Sequence, residues 1–168
     1  MDPNVLTTSP FAALTFVAAP ALLTNASSGL ALSTINRMLR TRERMHELFN
    51  ESEAGDKTDE ERIHIITVTD RVEKQAVLLL SALHSIYLAL AAFASATLVT
   101  LLGAGLAAFR GGIWVHALAI VGLGLGFFGT GGLVFGCANL FQATRLSLVN
   151  IRDEAVFIRK RSAHVIEK

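Results

Sequence analysis

One cysteine, Cys137, stands among 168 residues. A chain with a single cysteine closes no disulfide within itself and builds no cysteine-based zinc site alone. Charge is also sparse: Asp, Glu, Lys and Arg make up 17% against 52% hydrophobic residues, and mean hydropathy is +0.49. That balance is too apolar for an ordinary soluble domain and far from a disordered one. A formal net charge of +1 argues against a nucleic-acid binder that works through bulk charge. The N-terminus lacks the basic n-region of a signal peptide, and its apolar run leads into a polar stretch without a clean cleavage site. It reads as a retained first span.

The missing charges organise the chain. Pro3 to Asn36 is 34 residues without Asp, Glu, Lys or Arg; Gln75 to Phe109 is 35, and Gly111 to Thr144 is another 34. About 20 apolar residues cross the hydrocarbon core as a helix, so each stretch holds one span with length left over. The expected fold is all-α: an integral membrane domain over 1–168, with three transmembrane helices at about 11–36, 88–109 and 113–134. A cytoplasmic helical segment, 37–87, and a cytoplasmic tail, 135–168, complete it.

Orientation follows from Lys and Arg. Segment 37–75 carries eight of them and the tail 145–168 six, whereas the hairpin at 110–112 has only Arg110 and the first ten residues have none. The positive-inside rule puts the two basic segments in the cytoplasm and the N-terminus outside. Trp114 and Tyr87 suit the two interfaces. Tyr87 precedes Phe109 by 22 positions, roughly 33 Å of helix.

The spans are expected to continue as helices into a cytoplasmic stalk. Met38, Thr41, Met45 and Leu48 repeat at helical spacing. Gly55-Asp56 looks like a stop, and Thr58 with Glu61 reads as a capping box. Ile65, Val68, Val72 and Leu79 form a stripe, and a weaker one runs through Leu148, Ile151, Ala155 and Ile158. Pro20, inside the first span, removes one backbone hydrogen bond and is expected to bend the helix.

This ordered set of features resembles the bacterial domain-of-unknown-function 2721 family of small three-span membrane proteins. The first span carries Ala18-Ala19-Pro20-Ala21, followed by Asn36-Arg37 with Arg40 and Arg44. The second span opens with Leu80-Ser81-Ala82-Leu83, and the third ends in Phe141-Gln142-Ala143-Thr144-Arg145-Leu146-Ser147. The resemblance covers most of the chain and implies a bacterial inner-membrane location. It implies no activity.

Within the spans, Gly124-Leu-Gly126-Phe-Phe-Gly129 matches a dinucleotide fingerprint as a string. The fingerprint needs a preceding strand and a helix N-terminus, which a membrane span does not provide. Gly122, Gly126, Gly129, Gly132 and Gly136 instead read as a helix-packing seam, with Ser81, Ser85 and Ala89 at matching spacing. In the first span, Asn25, Gly29, Leu32 and Asn36 lie along one partly polar face with Ser28 beside it. Such a face turns toward other helices or toward water, which makes Asn25, Ser28, Leu32 and Asn36 candidates for a pore lining. Arg37, Arg40 and Arg44 share a face just inside the membrane. They are expected to pair with stalk acids such as Asp70 or Glu73, or to hold anionic lipid headgroups.

Catalytic chemistry finds no foothold, since no acid or base lies deep in a span and Cys137 has no histidine partner at helical spacing. His84 has no second metal ligand at i+3 or i+4. The acidic run from Glu51 to Glu61 lacks EF-hand spacing and reads as a solvated turn. No enzyme activity, cofactor or metal is expected. Two functions remain: a homo-oligomeric ion channel with its pore lined by the first span, or a non-conducting scaffold that binds anionic lipid or cytoplasmic partners.

Overall fold

A computed structural model describes residues 10–53, 58–109 and 112–166. The described chain is all-α and consists of three long helices: α1 (Pro10–Glu53), α2 (Asp59–Phe109) and α3 (Ile113–Ile166). They contain 44, 51 and 54 residues, far above the usual helix of about 11 residues. Apolar runs of this length, rich in Ala and Leu, give the chain no reason to turn. α1 continues through Pro20, so the expected bend does not interrupt it.

The start of α2 is built as its sequence suggests. The Thr58 backbone N–H donates to Glu61 Oε2 at 3.3 Å, and the Glu61 N–H reaches Thr58 Oγ1 at 3.5 Å. This is the reciprocal capping box that satisfies two otherwise orphaned donors. The Gly55-Asp56 stop and the Arg110-Gly111 part of the hairpin lie outside the described residues.

Two of the helices are long and apolar enough to cross a membrane: α2 over Asp59–Leu106 and α3 over Ile113–Phe157. The most apolar window of α2 is 39% buried within the chain and that of α3 only 11%. α2 is therefore the better covered of the two, and most of the apolar window of α3 is exposed.

The helices divide into two compact units, Met1–Ser33 with Leu83–Gly136, and Thr34–Ala82 with Cys137–Lys168. The first unit is packed through small residues. Phe93, Ala89, Ala96 and Ile86 of α2 and Ser27 and Ala31 of α1 are buried. A Cβ added at Gly129 would lie 2.8 Å from Phe93 Cε1, and one at Gly132 would lie 3.4 Å from the Ser85 carbonyl and 3.6 Å from Ala89 Cβ. At Gly122 it would lie 3.1 Å from Thr100 Cγ2. Gly126 differs: an added Cβ there meets nothing within 4 Å. Positions 122, 129 and 136 repeat at two helical turns and are buried, whereas Gly126 is only half-buried.

The second unit has a core of Leu48, Val68 and Val72 with Met45 packed on it. The stripe of Ile65, Val68, Val72 and Leu79 is buried. The tail stripe is not: Leu148 and Ile151 are 62% and 61% exposed, and Ala155 is exposed. Polar contacts hold the neighbouring residues of α3 inward. Asp153 takes Arg71, Glu154 takes Arg44, and Phe157 stacks on His64 with ring centroids 4.3 Å apart. A helix apolar on several sides is oriented by its ion pairs and aromatic contacts, which apolar periodicity alone does not reveal.

Candidate functional site: an arginine crevice and a polar helix face

Arg37, Arg40 and Arg44 recur at i, i+3 and i+7 on α1, which places them on one face. In the second unit that face borders a crevice of about 390 Å³, within the size range of small-molecule sites. Thr41 of α1 lines it, with Gln75 of α2 and Thr144, Ser147, Asn150 and Glu154 of α3. An apolar floor comes from Val68, Val72 and Leu79.

The three arginines are not equivalent. Arg44 donates to Glu47 Oε2 at 3.0 Å and to Glu154 Oε1 at 2.6 Å. The Glu47 hydrogen bond, helped by the Glu154 carboxylate and opposed by partial burial, holds its guanidinium above the ordinary arginine value. Arg37 donates once, to Thr144 Oγ1 at 2.8 Å. Arg40 is exposed and has no hydrogen bond or ion pair among the described residues. The expected pairing with Asp70 or Glu73 is corrected, since Asp70 is engaged by Lys74 four residues on at 2.7 Å, and Arg44 finds its acids on α1 and α3.

The Arg44–Glu154 pair joins helices far apart in sequence, but its side chains are 38% and 43% exposed. Water and salt screen such a pair, and pairs of this kind contribute about 0–1 kcal/mol. Glu154→Gln is therefore expected to lower unfolding stability by under about 1 kcal/mol, and by less at high salt. Denaturant titrations at two ionic strengths check this. A larger loss that does not respond to salt would mean the pair is more deeply desolvated than its exposure indicates.

Polar contacts continue around the crevice. Gln75 Nε2 donates to Thr41 Oγ1 at 3.4 Å, and Asn139 Nδ2 donates to Ser81 Oγ at 3.1 Å. Asn150 Oδ1 is buried without a hydrogen-bond donor. Sequence reasoning had the arginines and, as packing stripes, Thr41, Val68, Val72 and Leu79. Gln75, Ser147 and Asn150 gave no local signal, because they reach the crevice from helices remote in the chain.

The polar face of α1 is placed differently. Asn25, Ser28, Leu32 and Asn36 are all exposed, whereas Ser27, Ala31 and Thr34 on the other side of the helix are buried. Three hydroxyls donate back along the helix: Thr24 to the Pro20 carbonyl, Ser27 to Leu23 and Ser28 to Thr24, at 2.9, 2.7 and 2.9 Å. The Ser28 proton is thus used within its own helix. The side-chain amides of Asn25 and Asn36 have no partner among the described residues.

The remaining polar residues do not assemble into a reactive centre. His84 and Gln142 are exposed, and Cys137 is a free, exposed thiol. Among the described residues, no group of three His, Cys, Asp or Glu side chains stands close enough to hold a metal ion.

A family model described as a protein of unknown function (DUF2721) matches residues 17–151. Comparison with curated proteins finds no match, and comparison with solved structures finds none. The matched region takes in most of α1, all of α2 and α3 as far as Ile151, including all three crevice arginines. The chain belongs to the DUF2721 family.

Proposed function

We propose that the protein is a homo-oligomeric ion channel of the bacterial inner membrane, with a pore lined by α1. Each chain contributes three spans, α1 included, and the helices continue into a cytoplasmic stalk. The N-terminus lies outside and the C-terminus in the cytoplasm, following the Lys and Arg distribution.

The observation that carries this reading is the exposed polar face of α1. It lies in a 34-residue stretch without Asp, Glu, Lys or Arg. At membrane depth an amide without a partner costs several kcal/mol in hydrocarbon, roughly 4–8 on a cyclohexane scale. Asn25, eleven residues inside the end of that stretch, finds no partner within the described chain, so water or another subunit must supply one. Three helices of one chain pack closed, and a water-filled path then falls on a symmetry axis between copies. The outward-facing apolar surface of α3, with Phe127 and Phe128 at 73% and 64% exposure, is suited to lipid.

The second reading is a non-conducting scaffold, favoured by the arginine crevice, which suits anionic lipid. Flux through liposomes separates the two. The channel reading expects protein-dependent ion flux that responds to Asn25→Leu. A scaffold gives none.

A further inference from the structure

We propose that the arginine crevice of the second unit is a binding site for a phosphate ester. The site depends on the packing within that unit and not on the pore reading.

Charge points to an anion. Three guanidiniums line the crevice against one carboxylate, Glu154, and Arg44 already engages that carboxylate. Each guanidinium carries five N–H donors. Arg37 uses one of them, on Thr144, and Arg40 uses none among the described residues. The fork of a guanidinium matches two phosphate oxygens at once, and Arg37 and Arg40, three residues apart, present two such forks. Thr144 fixes one of them: its hydroxyl accepts from Arg37 and donates to the Leu140 carbonyl at 2.8 Å.

An unpaired acceptor narrows the ligand. Asn150 Oδ1 is buried without a donor in the wall of the same crevice. Buried polar atoms are nearly always paired. A hydroxyl on the esterifying alcohol would supply the missing donor, which favours a hydroxylated ester such as a glycerophosphate.

Position suggests where such an ester comes from. The first charge-free stretch ends one residue before Arg37, the second begins at Gln75 and the third ends at Thr144. Arg37, Gln75 and Thr144 all line the crevice. The three helices therefore change from apolar to charged at one level. In a membrane this is the level at which lipid phosphates are met, while the cytoplasm offers soluble esters to the same donors.

The full-length protein in uncharged detergent is titrated with glycerol 3-phosphate and, separately, with phosphatidylglycerol in the same detergent. Dioleoylglycerol, which has no phosphate, is the comparison. The readout is the rise in melting temperature with ligand. Saturable stabilisation by phosphatidylglycerol alone identifies a lipid headgroup; stabilisation by glycerol 3-phosphate as well identifies a soluble ester. Arg40→Gln removes no contact of the fold and is expected to weaken apparent affinity about tenfold, the scale of a lost charge-assisted hydrogen bond. Arg42→Gln, on the same helix but outside the crevice, is expected to leave it unchanged. The proposal is overturned if neither phosphate ligand stabilises the protein, if dioleoylglycerol does so equally, or if the two variants weaken binding to the same extent.

Discussion

Gly129→Leu is expected to lower the melting temperature of the detergent-solubilised protein sharply, with a loss of about 3 kcal/mol, the upper range for overpacking a filled site. The reason is the approach of α3 to α2. A single added Cβ at Gly129 falls 2.8 and 2.9 Å from two ring atoms of Phe93, and that ring is fully buried. The ring must turn toward the cavity that it lines with Gly126 and Phe127, or the helices must move apart. Gly129→Ala is expected to show the same sign at about 1–2 kcal/mol, because the better helix propensity of alanine, up to about 1 kcal/mol, offsets part of the clash.

Two further variants separate this account from a general intolerance of substitution. Gly126→Ala meets nothing within 4 Å and is expected to be neutral or mildly stabilising. Phe93→Leu is expected to relieve Gly129→Ala, so that the double variant is more stable than the two single effects sum to. Thermal melts of the six proteins, wild type and double variant included, decide the matter. Equal losses at 126 and 129 would place the close approach elsewhere.

Asn25→Leu is expected to reduce ion flux through reconstituted liposomes at least tenfold while leaving assembly intact. Asn25 is exposed on α1 and makes no contact within the described chain that leucine would break. In a pore its amide would hold water at a depth where apolar walls dewet, and a ring of leucines there would form a hydrophobic constriction. Leu32 lies two turns further along the same face, so a pore lined by this face would already carry one apolar ring. Ser28→Ala is expected to have the smaller effect, because the Ser28 hydroxyl already donates to the Thr24 carbonyl. Unchanged flux in Asn25→Leu would remove α1 from the conduction path.

The sequence made the helices legible, and the reason is physical. Charge-free runs bounded by charged residues fix where apolar helices run, and the Thr58–Glu61 capping box fixes where one begins. The Ile65, Val68, Val72 and Leu79 stripe is legible because its flanks are charged, which leaves one side to bury. The tail is harder. Around Leu148 and Ile151 apolar residues occupy more than one side, and the side that turns in carries Asp153 and Glu154, which meet Arg71 and Arg44. Those partners are 82 and 110 residues apart, beyond what local periodicity reports.

The candidate site shows the same division. Three arginines at helical spacing are visible in the string. Apart from Thr41 of α1, the hydroxyls and amides that complete the crevice come from α2 and α3, and only packing brings them to the arginines. Gly126 marks a related limit. Small residues four apart suggest a seam, but which of them meets the neighbouring helix depends on the rotation of α3, and Phe93 fixes that rotation at Gly129.

The most direct test of the channel account is the subunit count of the complex, measured by native mass spectrometry after extraction in mild detergent. The account predicts a closed ring of four or more subunits, large enough to leave a path on its axis between α1 helices. A monomer or dimer would leave no room for an axial pore and would contradict it.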